Sequence, residues 1–199
     1  MDEIKWPLRL LQILRNHLEQ VDHPHEPRTL PIAAKCGQGG VLAFLTDVDD
    51  DVRRRTGASE CITACCRGLV LDMIEQCCTL LFLSSKERRV INMAAVQREK
   101  RVVARGVGKR RRGDQGETTE ETAIGETDNS QRKCAAVLPL EYLLRLFVAL
   151  PSLLAHYDKL GGSTMPAAFK QPLWNYVNAV LDIMKDMTFL DPSEYIPLR

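Results

Sequence analysis

The chain contains no CxxC pair, no GxSxG and no GxxxxGK[ST], and each absence removes a class of function. Without CxxC knuckles, the short loops that fold two sulfurs onto one zinc are missing. Without a serine on a sharp strand-to-helix turn, a Ser-His-Asp hydrolase has no nucleophile. The nearest approach to a dinucleotide-binding glycine loop is Gly106-Val107-Gly108, which has no helix after it. The longest nearly uncharged apolar stretch, around Cys77 to Leu83, is far too short to cross a bilayer. The opening residues Met1-Asp2-Glu3-Ile4-Lys5 lack the basic-then-apolar order of a secretory signal, so an intracellular chain is expected. Neither an enzyme nor a cofactor, metal or membrane partner is expected.

What is present suits one globular core: 199 residues, 45% apolar and 27% charged. Of the 7 cysteines, Cys61, Cys65, Cys66, Cys77 and Cys78 fall within one helical stretch. Cys66 and Cys77 are three turns apart, too far for one metal, so the cysteines are expected to be small buried hydrophobes. Among the histidines, His17 falls on the first helix, His23 and His25 read as solvated loop residues, and His156 suits a helix C-terminus.

The formal net charge of +1 hides a local asymmetry. Residues 98–112 carry Arg98, Lys100, Arg101, Arg105, Lys109, Arg110, Arg111 and Arg112 against the single acid Glu99, and residues 114–128 carry acids and no base. Large apolar residues are almost missing from 97–133, which cannot bury enough surface to offset its ordering entropy and is expected to be disordered. The expected organisation is thus a helical domain in two parts, 1–96 and 134–199, around a basic-then-acidic insert at 97–133. The run Lys109-Arg110-Arg111-Arg112 has three readings: a nuclear import signal, a phosphate-contacting patch, or a solvated tract. No aromatic residue is interleaved to stack on bases.

Helical spacing recurs along the rest. Ile4, Leu8, Leu11, Leu14 (or its neighbour Ile13) and Leu18 predict an amphipathic helix with Pro7 in its first turn. Val41–Leu45 is a short helix or strand, and Asp47–Arg55 a solvated loop. Ser59 is a plausible N-cap for a helix carrying Ile62, Cys65 or Cys66, Leu69, Met73, Cys77 and Leu80, expected to be central to the core. Leu140, Leu143, Leu144, Phe147, Leu150 and Leu154 predict another helix, kinked by Pro151 near Phe147. A last helix carries Leu173, Tyr176, Val177, Val180, Met184 and Met187, with Pro172 at its start. An extended tail follows. The predicted class is all-α.

Leu143-Leu144-Arg145-Leu146-Phe147-Val148 resembles the HLLRLFV signature helix of MRG (mortality-factor-related) domains. In the same order, Leu30-Pro31 resembles the family's early LP, Leu80-Leu81-Phe82 before Glu87-Arg88 resembles LLYKFER, and Leu173-Trp174-Asn175-Tyr176-Val177 resembles LHDFL, with Ser193-Glu194-Tyr195 near the end. The chain departs from the family in its first segment, where the tryptophan-containing acidic motif is reduced to His17-Leu18 and Val21-Asp22, and in the long charged insert. No chromodomain is expected, so no reading of methylated histone tails either.

The resemblance implies an orthogonal helical-hairpin fold and a nuclear scaffold subunit of histone acetyltransferase or deacetylase complexes. Family members bind FxLP-like or helical partner peptides in an apolar groove. Carried over, the groove residues are Leu143 and Phe147 on the signature helix and Leu173, Tyr176 and Val177 on the last one, with Leu69 and Met73 from the central helix. A Leu/Phe stripe at helical spacing is equally the pattern of a core. The alternative function is direct nucleic-acid or nucleosome binding through the insert.

Overall fold

A computed structural model describes residues 4–22, 28–29, 40–77, 83–109, 134–159 and 166–197. Among them are α1 (Leu8–Val21), α2 (Val41–Asp47), α3 (Asp49–Thr56), α4 (Glu60–Cys77), α5 (Ser85–Lys109), α6 (Leu140–Lys159) and α7 (Ala167–Met184). The only strands among these residues are β1 (Arg28–Thr29) and β2 (Ile196–Pro197), antiparallel, with Arg28 opposite Pro197 and Thr29 opposite Ile196. The chain is mostly helical, in agreement with the all-α class. No described helix is long and apolar enough to cross a membrane.

The core is built around α6. Leu140, Leu143, Leu144, Leu146, Phe147, Leu150 and Leu154 are all buried in it, and the helix runs on through Pro151. Helix α1 packs on α6, while α7 lies against both α3 and α4. The turn at 134–138 crosses the start of α2, where Val41 N–H donates to the Leu138 carbonyl at 3.0 Å and Leu42 N–H to that of Ala135 at 2.9 Å. Glu75 of α4 holds the same turn, accepting from Cys134 N–H at 3.1 Å and Ala135 N–H at 2.8 Å. Gly40 has to be glycine, because a Cβ there would lie 2.5 Å from the Ala136 carbonyl oxygen.

Several expectations are corrected. The buried face of α1 is Leu10, Leu14, His17 and Val21, whereas Leu8, Leu11 and Leu18 are exposed. The helix is apolar on two sides, and contact with α6 selects between them. Residues 49–56 form a helix rather than a loop. Asp49, Asp50 and Asp51 occupy its first turn and Arg53, Arg54 and Arg55 its last, which complements the helix dipole at both ends. Val52 buries its one apolar side chain, and Gly57 ends it in the left-handed conformation at φ 67°.

Ser59 does cap α4, its hydroxyl accepting from Ile62 N–H at 3.4 Å. The buried stripe of α4 is Thr63, Cys66, Val70, Leu71 and Ile74; Leu69, Met73 and Cys77 are only partly buried and Ile62 is exposed. Cys66 and Cys134 are buried as expected, but Cys61 and Cys65 are exposed.

Helix α5 continues through residues 97–109, where disorder was expected. Gln97-Arg98-Glu99-Lys100-Arg101 are strong helix formers with no proline, so local propensity favours the helix through this stretch. Residues 110–133 of the insert lie outside the described residues, as do Cys36, Cys78, His23, His25, Leu30-Pro31 and Leu80-Leu81-Phe82. Helix α7 begins at Ala167, after Pro166, which places Pro172 inside it and not at its start. The tail is extended except at Pro192–Glu194, a 3-10 turn. There Asp191 accepts from Ser193 N–H at 2.9 Å and Glu194 accepts from Asp191 N–H at 2.7 Å.

Candidate functional site

Five of the seven groove candidates are core side chains. Leu143, Phe147, Leu173 and Val177 are 0% exposed and Tyr176 is 2% exposed. Leu69 and Met73 pack against the same core while staying partly buried. Among the described residues, the two candidates on the signature helix, Leu143 and Phe147, are enclosed in the core. The stripe that suggested a groove belongs to the core, and α1 packs on the signature helix.

Tyr176 nevertheless reaches an opening. A pocket of about 200 Å³ lies where the end of α3 and the start of α4 meet α7. Its apolar walls are Ala58, Ile62, Cys66 and Pro172, and Thr56, Thr63, Asn175 and Tyr176 supply its polar lining. The threonine hydroxyls are engaged: Thr56 donates to the Val52 carbonyl at 2.8 Å and Thr63 to that of Ser59 at 3.1 Å. Asn175 accepts from Gln171 at 3.0 Å. The buried Tyr176 hydroxyl has no hydrogen-bond partner among the described residues.

Burial, with the nearby Asp49 carboxylate, holds the Tyr176 phenol well above its ordinary pKa, so it remains a donor. Asp49 in turn pairs through one oxygen with Arg67 of α4, while its other oxygen is buried without a partner among the described residues; burial raises its pKa. Small-molecule sites usually enclose about 300–1,000 Å³, so this pocket suits a single anchoring side chain better than a cofactor.

A second polar cluster lies inside the protein. Ser84 and Glu87 form a capping box at the start of α5: Glu87 accepts from Ser84 N–H at 2.7 Å, and the Ser84 hydroxyl accepts from Glu87 N–H at 3.2 Å. The same carboxylate, fully buried, accepts from the Tyr142 hydroxyl at 2.6 Å and from Arg145 at 3.2 Å. Arg145 also lies over the Tyr142 ring, 5.2 Å from its centroid.

His17, fully buried, meets the Tyr142 ring edge-on at 5.3 Å between centroids, and its Nδ1 is 3.4 Å from the Tyr195 hydroxyl. Burial, then Arg145, lowers its pKa to about 3, so the ring is neutral. Glu141 is buried nearby in sequence; one oxygen accepts from Leu190 N–H at 3.4 Å, and burial raises its pKa. These side chains join α1, α5, α6 and the C-terminal tail through buried hydrogen bonds, which is a structural role. In the sequence Glu87 stands out only within the Leu80–Arg88 resemblance and Tyr142 not at all, although Ser84-x-x-Glu87 is a legible capping box.

Of the basic residues singled out, Lys109 ends α5, and Arg110, Arg111 and Arg112 lie outside the described residues. Among the described residues no group of three or more His, Cys, Asp or Glu is placed to hold a metal ion. Compared with protein-family models, with curated proteins and with solved structures, the chain matches none. Fold and site together define an all-α domain with a small, apolar-walled surface pocket between α3, α4 and α7.

Proposed function

We propose that the protein is a non-catalytic adaptor that captures a partner segment through the pocket between α3, α4 and α7. The observation that carries this is the buried Tyr176 hydroxyl, which has no hydrogen-bond partner among the described residues and belongs to a residue lining the pocket. A buried donor without an acceptor costs about 1–3 kcal/mol, and a partner that brings one regains it. The segment that fits presents one large apolar side chain beside a backbone carbonyl. Burying that side chain contributes roughly 1.5–3 kcal/mol. The setting, a nuclear histone acetyltransferase or deacetylase assembly, follows from the resemblance of Leu143–Val148 to the MRG signature helix. The adaptor reading keeps that setting and moves the contact from the helix itself to the pocket lip.

Ile62 is the residue to change, since it lines the pocket and is 38% exposed, so its loss spares the core. Affinity capture with the full chain from nuclear extract, followed by mass spectrometry, is expected to recover acetyltransferase or deacetylase subunits with the wild type and to lose them with Ile62→Glu. Equal recovery by both would remove the pocket from the function.

A second reading is direct nucleic-acid binding through the basic tract. It is favoured by the continuation of α5 to Lys109, which spaces Arg98, Arg101, Arg105 and Lys109 three and four apart along one helix. In the same capture, nucleic acid that is recovered equally by both proteins and released by moderate salt would favour this reading.

A further inference from the structure

Helix α4 carries Cys61 and Cys65 one turn apart, both exposed. At i and i+4 the two side chains share a face, with Cβ atoms about 5–6 Å apart. Desolvation first, then the neighbouring Cys61 thiol, raises the pKa of Cys65. Cys66 turns the other way, 1% exposed and lining the Tyr176 pocket, its thiol pushed up to about 11 by burial. Cys61 and Cys65 therefore make a separate surface dithiol outside the pocket.

The Cβ separation decides what such a pair does. A disulfide holds its Cβ atoms about 3.5–4.5 Å apart, closer than a regular helix places them at i and i+4. An ion between the sulfurs spans the wider gap, since metal–thiolate bonds run near the ~2.3 Å of zinc sites. Zinc itself takes four ligands, and among the described residues no third His, Cys, Asp or Glu joins the pair. Thiolates select soft ions, and the soft ion content with two sulfurs is cuprous copper.

We propose that Cys61 and Cys65 form a two-coordinate site for a cuprous ion. Binding breaks two S–H bonds, forms two Cu–S bonds and releases two protons; copper stays monovalent and nothing is oxidised. The product is a bis-thiolate complex of charge −1. It lies in the first two turns of α4, where the positive end of the helix dipole favours an anion. The site is independent of the adaptor role, because neither thiol lines the pocket.

The test titrates the reduced full chain anaerobically with cuprous ion against a chromophoric cuprous chelator. The wild type is compared with Cys61→Ser, Cys65→Ser and the double variant. Each variant is expected to lose one equivalent of retained copper, with its helical circular dichroism and thermal midpoint unchanged because both positions are exposed. A second readout needs no variant: one equivalent of cuprous ion is expected to shield Cys61 and Cys65 together from N-ethylmaleimide, mapped by peptide mass spectrometry. Wild-type stoichiometry in the double variant, or alkylation of both thiols as fast with copper as without, would overturn the site.

Discussion

His17 shows at the scale of one residue how position overrules type. Spacing alone puts it on the first helix, and a histidine between leucines there is easily taken for a solvated one. In the structure it is fully buried, edge-on to Tyr142 and beside the Tyr195 hydroxyl, and its pKa falls to about 3. Between that value and the ordinary 6.5 the unfolded chain binds a proton that the folded one refuses. Stability from this residue is therefore complete above pH 6.5 and declines as pH falls toward 3, at up to about 1.4 kcal/mol per unit. Glu141, raised by burial, acts in the opposite sense, so a difference measurement is required. Urea unfolding of His17→Gln beside the wild type is expected to show a wild-type loss larger by about 3–4 kcal/mol between pH 7 and pH 3.5. Parallel pH profiles would mean that His17 titrates normally. The groove candidates teach the same lesson. Leu143, Phe147, Leu173 and Val177 were recognisable as an apolar stripe, yet nothing in a stripe says whether a protein's own helix or a partner covers it.

At the scale of elements, long periodic helices were legible and short charged ones were not. Leu140–Leu154 and Leu173–Met184 announce themselves by spacing, and Ser59 announces the start of α4. Helix α3 escaped because Val52 is its one buried side chain; it is held by charge order along the dipole and by ion pairs of Arg67 with Asp49 and of Arg55 with Asp182. Hydrophobic periodicity is blind to such a helix. The face of α1 was misread for a different reason, since two apolar stripes compete and only the position of α6 decides. The continuation of α5 past Gln97 needed propensity rather than burial to be weighed. Gly40 is a point where sequence and packing meet, as the turn at 134–138 passes directly over it. Gly40→Ala forces backbone against backbone and is expected to cost about 1–3 kcal/mol, seen as a lower urea midpoint with an unchanged slope. A midpoint equal to the wild type would show that the turn gives way freely.

Across the whole molecule, residues far apart in the chain close around α6. The N-terminal segment is fastened to the last helix and the turn after it, Lys5 N–H donating to Asn178 at 2.8 Å and Arg9 to the Met187 carbonyl at 2.9 Å. The tail returns to pair β2 with β1 and to bury Tyr195. The sequence conveyed the all-α class, but it put the helix from Ile62 at the centre of the core and read Leu143 and Phe147 as groove residues, whereas both are fully buried. It did not convey the place where the surface opens, because the pocket is made where the end of α3 and the start of α4 meet the side of α7, and periodicity treats the three separately. Tyr176 belongs to both descriptions, as a core residue by exposure and as part of the pocket lining. The most direct measurement is isothermal titration of an FxLP-like peptide into the wild type, Tyr176→Phe and Ile62→Glu. The expected result is a Kd about tenfold weaker for Tyr176→Phe, the ~1.4 kcal/mol of one hydrogen bond, and no measurable binding for Ile62→Glu, with all three proteins equally folded. One Kd shared by all three would contradict the pocket as the place where this protein holds its partner.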